Sequence, residues 1–88
     1  MSAAARMTQT LTEAFSPEHL EVRDDSERHR GHGGWREGGE THFHLIMTSS
    51  AFAGQNRVAR QRAVNRALQA EFDAGLHALS MELKAPGE

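Results

Sequence analysis

Residues 24 to 47 read DDSERHRGHGGWREGGETHFHLIM, a polar, glycine-bearing stretch that turns abruptly into an apolar alternation. Phe43, Leu45 and Met47 fall at every second position, which is the period of a half-buried strand. Just upstream, Leu20 and Val22 alternate with Glu21 and Arg23 and predict a shorter strand of the same kind. Between the two, residues 25–40 carry Gly31, Gly33, Gly34, Gly38 and Gly39 and predict a loop. It is too long for a tight hairpin, and loops of that length commonly carry function.

Working outward, Met7, Leu11, Ala14 and Phe15 recur at helical spacing, and Ser16-Pro17 ends that helix. Residues 48–55 (TSSAFAGQ) read as a turn. Gln55 to Phe72 read as one helix, with Val64, Leu68 and Phe72 as its buried stripe. Asp73-Ala74-Gly75 breaks it, and His77, Leu79, Met81 and Leu83 then share one face of a third strand. Residues 1–6 and 84–88, the latter with Pro86-Gly87, read as flexible ends around a domain of residues 7–83. The expected fold is α+β in the order αββαβ, with helices packed on one face of a three-stranded sheet. That order is compatible with a KH-like arrangement of the class II type.

Composition narrows the chemistry. Eighty-eight residues support one domain with a modest core, so a site is expected in a surface groove or at an interface. A formal charge of -2 gives no global positive field to draw the chain to nucleic acid. With no cysteine, the chain has no disulfide framework, no thiolate nucleophile and no self-sufficient zinc or iron–sulfur knuckle. The first residues, MSAAAR, lack the apolar core of a signal peptide, and no run approaches membrane-spanning length, so a cytoplasmic protein is expected.

Six histidines remain to be explained. His42 and His44 share a strand face opposite Phe43, Leu45 and Met47, and read as filler of the outer face. His19, between a proline and a strand, reads as solvated. His29 and His32 lie amid glycine, where a histidine is either solvated or a metal ligand. His77 opens the last strand in phase with its leucines; the plain reading is a histidine at a sheet edge, the functional one a ligand. Ser26, Ser49 and Ser50 occur without a nucleophile elbow, and Asp24-Asp25 are adjacent rather than facing across a cleft, so an enzyme is not expected. Arg57, Arg60, Arg62 and Arg66 line the second helix as a solvated face, or as contacts to phosphate or an acidic partner. The string Gly31-His32-Gly33-Gly34 resembles the KH clamp on RNA but falls between strands. Where the clamp belongs, Gly54-Gln55-Asn56-Arg57 lacks the second glycine, so no GxxG RNA clamp is present.

Asp24-Asp25-Ser26-x-x-His29, Thr41-His42-Phe43, Phe52-x-Gly54, Arg60-x-Arg62 and Leu76-His77-Ala78-Leu79 follow one another as they do in the BolA family. The resemblance runs from about Leu11 to Leu83. Gln61 departs from it, because the family usually has histidine between those arginines, and the loop with Trp35 is longer than in many members. The resemblance implies a KH-like fold without the RNA clamp. It also implies a monothiol, CGFS-type glutaredoxin as partner, with a [2Fe-2S] cluster bridged between the two proteins. Glutaredoxin and glutathione would supply thiolates. His77 would be the ligand opening the last strand, and His29, with His32 as substitute, the loop ligand of the histidine-loop type. Imidazole in place of thiolate raises such a cluster's potential. Without that partner the chain is expected as a monomer or weak dimer. The family is also associated with transcriptional regulation of morphology and stress response, for which the helix arginines would bind DNA weakly.

Overall fold

A computed structural model describes residues 2–25 and 42–88. Its centre is the strand β2, His42–Thr48. On one side β2 pairs antiparallel with β1, His19–Asp24, in a register that sets Leu20 against Met47 and Val22 against Leu45. On the other it pairs parallel with β3, Ala78–Lys84, setting Phe43 against Leu79, Leu45 against Met81 and Met47 against Leu83. All these apolar residues therefore leave the sheet on one face. The predicted loop of residues 25–40, with His29, His32 and Trp35, lies outside the described residues apart from Asp25.

Parallel pairing of consecutive strands requires a crossover. Here it consists of a turn of 3-10 helix at Ser50–Phe52, the helix α2, Arg57–Ala67, and the short helix α3, Gln69–Asp73. The sequence predicts one helix over Gln55–Phe72; the structure breaks it at Leu68, which no glycine or proline marks. Asn56 caps α2 by accepting the Ala59 N–H at 2.8 Å. Val64 and Leu68 are buried as their spacing predicts, while Phe72 is only partly so.

The first helix, α1, spans Ala3–Phe15 and so begins within the residues 1–6 that the sequence suggests as a flexible end. Ser2 caps it through the Ala5 N–H, and Arg6 forms a two-pronged ion pair with Glu71 of α3, both bonds 3.0 Å. Met7 and Leu11 are fully buried against Phe43, Leu45, Met47, Phe52, Val64 and Leu68. Each such side chain contributes roughly 1.5–3 kcal/mol by leaving water. The helix ends at Ser16, in the left-handed region at φ 45°, immediately before Pro17. Ser49 then donates its hydroxyl to the Phe15 carbonyl at 2.7 Å, tying this end to the exit of β2.

The other expected end is also fastened. Ala85 is buried, and Glu88 folds back across Gly87, φ 87°, onto Arg60. The opposite sheet face carries His19, Glu21, Arg23, His44, Ile46, Ser80, Glu82 and Lys84, uncovered by any described helix. Among the described residues no helix is long and apolar enough to cross a membrane.

Candidate metal site

The turn after α3 positions His77. Gly75, at φ 123°, lets the chain reverse, and the Leu76 N–H then bonds the Glu71 carbonyl at 2.9 Å. Leu76 is buried, so it anchors the turn in the core and leaves His77 exposed at the mouth of β3. The parallel register places His42 beside Ala78, the next residue. The two imidazoles consequently meet, with ring centroids 5.2 Å apart and planes tilted by 54°. His42 is 6% exposed. No ring nitrogen of His77 is hydrogen-bonded among the described residues.

Asp25 completes this corner. Its N–H bonds the His42 carbonyl at 2.9 Å, which joins the end of β1 to the start of β2. Residues 26–41 are thus inserted between two positions that touch each other beside His77. A cleft of about 200 Å³ opens there, lined by Asp25, His42, Phe43, Ala78, Leu79 and Ser80.

Chemically the corner brings two imidazoles together and offers no sulfur. Among the described residues, no group of three or more His, Cys, Asp or Glu side chains gathers to hold a metal ion. A four-coordinate metal here would need further donors from residues 26–41 or from a second protein.

His44, two residues from His42, is used differently. Its Nδ1 lies 2.6 Å from Ser80 Oγ and its Nε2 2.8 Å from Glu82 Oε2, on the open sheet face. The hydrogen bond from His44 holds the Glu82 carboxyl below its ordinary range. The reading of strand filler suits His44, and His19 is exposed, as its reading as solvated expects. His42 sits on the same face and also meets His77, a contact that sequence analysis did not show. The one signal pointing to it, the Thr41-His42-Phe43 string, says nothing of register. His29 and His32 lie outside the described residues.

The four helix arginines do not form one row. At about 100° per residue, Arg57 and Arg66 stand roughly 180° apart around α2. Arg62 and Arg66 face solvent. Arg57 and Arg60 continue the stripe of Val64 and Leu68, one turn beyond the end of the core. Arg57 overhangs and is exposed, whereas the Arg60 side chain is only 11% exposed and bonds Gln55, Leu83 and Glu88. Arg60 is therefore withdrawn from the expected phosphate-contacting set.

Residues 11–88 match the family model described as BolA-like protein. The chain belongs to the BolA-like family. Its α+β fold is also that of BolA structures: the BolA domain of SufE1 from Arabidopsis thaliana superposes with a TM-score of 0.88 at 42% identity, covering 98% of this chain and 94% of that one. BolA1 from the same plant gives a TM-score of 0.86 at 40% identity, with the same coverage. Among curated relatives, an "Uncharacterized protein in cobS 5'region" of a Sinorhizobium species is 52% identical over 100% of this chain and 96% of its own length. "Protein BOLA1, chloroplastic" of Arabidopsis thaliana is 42% identical over 97% of this chain and 54% of its own. This BolA-like chain thus spans nearly the whole of one relative and about half of the other. The match to residue 88 agrees with a fastened end beyond Leu83.

Proposed function

We propose that this BolA-like chain is a non-catalytic adaptor that shares a [2Fe-2S] cluster with a monothiol, CGFS-type glutaredoxin and its glutathione, in cluster maturation, trafficking or iron regulation in the cytoplasm. The observation that carries the reading is the exposed His77 ring against His42, at the corner where the His29- and His32-bearing segment joins the sheet. The donor chemistry fits. The chain supplies nitrogen and has no cysteine, so the thiolates that a cluster needs must come from the partner. The occurrence of a relative named SufE-like protein 1, of which 24% matches this chain, is in keeping with an iron–sulfur role.

In this reading His77 is one ligand and the second nitrogen comes from His29, with His32 as its substitute and His42 as the neighbour that orients His77. His29 is the favoured loop ligand because it follows the end of β1 closely. Ordering His32 between Gly31 and Gly33 costs more backbone entropy, on the order of 1–2 kcal/mol for each residue fixed. Ligation requires neutral imidazole, so the mixed complex weakens as pH falls.

The test is anaerobic mixing with a monothiol glutaredoxin, iron, sulfide and glutathione, followed by visible absorbance and circular dichroism. A mixed spectrum distinct from that of the glutaredoxin alone is expected, and the isolated chain stays colourless. His29→Ala should alter the spectrum and speed cluster loss more than His32→Ala. If the spectrum is unchanged by adding this chain, the reading fails. The alternative, a DNA-binding regulator, has fewer outward arginines than a continuous row would give. It requires weak, strongly salt-dependent binding, which a salt-titrated mobility shift would measure.

A further inference from the structure

At the far end of β3, roughly 20 Å from His77 by the rise of a strand, α2 and β3 border a cleft of about 480 Å³. Met81 and Leu83 give it apolar walls, and the exposed cations Arg57 and Lys84 stand at its rim beside Arg60. Glu82 also lines it but is hydrogen-bonded to His44.

Arg60 is held in place by contacts that do not involve any carboxylate. Its Nε donates to the Gln55 carbonyl at 2.9 Å, its Nη1 to the Leu83 carbonyl at 3.3 Å, and its guanidinium lies 5.9 Å over the Phe52 ring. The remaining face of the fork receives the Glu88 carboxylate. Nη1 donates to Oε1 at 2.6 Å and Nη2 to Oε2 at 2.7 Å, while the Ala85 N–H reaches Oε1 at 3.0 Å. Three fixed donors around two oxygens make a receptor whose geometry specifies a carboxylate. The occupant is loosely kept by comparison. Glu88 follows a Pro86-Gly87 turn, and its side chain is 44% exposed against 11% for Arg60.

We propose that this cleft is a binding site for an acidic peptide segment of a partner protein, and that Glu88 is an internal occupant which the partner's carboxylate displaces. A single carboxylate fills only the fork. The rest of the cleft offers apolar contact from Met81 and Leu83 to a neighbouring side chain, and Arg57 and Lys84 at the rim favour a second acidic residue. Because Glu88 is tethered by a short link, it competes at high effective concentration, and a partner engages only by exceeding it. The site lies apart from the His77 corner and leaves that corner accessible.

The probe is the peptide acetyl-Glu-Leu-Glu-amide, titrated into the full chain and followed by amide chemical shifts. The wild type should bind weakly, with shifts at Ala85, Leu83 and Gln55. Glu88→Ala, at the surface and expected to fold, should bind about tenfold more tightly. Arg60→Lys in the Glu88→Ala background keeps a charge but removes the fork, and should abolish that gain. Thermal melts of each variant confirm folding. Glutarate matching the peptide would assign the cleft to small dicarboxylates and overturn the peptide reading. Equal binding of acetyl-Gln-Leu-Gln-amide, or no binding to folded Glu88→Ala at millimolar peptide, would overturn the site altogether.

Discussion

At the start of β3, His77 stands exposed against His42 with its ring nitrogens uncommitted among the described residues; at the end of β3, Arg60 distributes its guanidinium over Gln55, Leu83 and Glu88. Both residues belong to motifs of the same family, and both look functional in sequence. The difference lies in bonding capacity. An imidazole with open nitrogens can take a metal without breaking anything, whereas an arginine already satisfied by backbone carbonyls cannot reach outward without leaving them unpaired. One end of the strand leaves ring nitrogens open, and the other holds its guanidinium rigidly around a carboxylate.

Several substitutions would break or sharpen that contrast, the largest at the fastened end. Phe52 is fully buried, packs on Phe15 at 5.3 Å between ring centroids and lies under Arg60. Phe52→Ala should cost about 3–5 kcal/mol, a large share of the stability of a domain this size, measured by urea unfolding. A loss below about 1 kcal/mol would mean that this end is not anchored in the core.

Arg60→Ala should come next, lowering Tm by about 5 °C as it strands the Gln55 and Leu83 carbonyls and frees Glu88. A melt indistinguishable from wild type would show that these bonds do not fasten this end of the strand.

Acid should dissolve the same fastening more gently. The Arg60 hydrogen bonds, and then the Ala85 N–H, hold the Glu88 carboxyl at about 2, against an ordinary value of 4.5. A carboxyl depressed in the folded state stabilises fully above its unfolded value and loses that stabilisation as pH falls from 4.5 toward 2, because the unfolded chain binds the proton first. Glu88→Gln should flatten this part of a Tm-against-pH profile. An identical profile for the variant would show that the pair does not set the acid response.

The smallest effect on stability is expected at the open end. His77→Ala removes an exposed ring and should change unfolding free energy by less than about 0.5 kcal/mol, while erasing the mixed glutaredoxin spectrum. Destabilisation comparable to that of Arg60→Ala would make His77 structural, and a retained spectrum would remove it as a ligand.

Much of this was readable in advance. The period-two runs at Leu20–Val22, Phe43–Met47 and Leu79–Leu83 located all three strands, and Val64 and Leu68 located the buried face of α2. The early start of α1 was not, since Ala3 to Arg6 carry little periodic signal. That turn relies on the Ser2 cap and on Arg6 meeting Glu71, a residue 65 positions away. The fastening of residues 84–88 was missed for the same reason, because its partner, Arg60, lies on another element.

The amino-acid sequence by itself determined which segments are strand or helix, and that the chain can offer nitrogen but no sulfur. Those properties are local: the periods of 2 and 3.6 and the donor atoms are written into neighbouring residues. Only the tertiary structure decided that His42 meets His77 while His44 goes to Ser80 and Glu82, and that Arg60 turns inward while Arg62 and Arg66 remain outside. Both outcomes follow from the parallel register of β2 on β3 and from where α2 overruns the core. Register and overhang are set by packing between segments far apart in the chain, and no local pattern contains them.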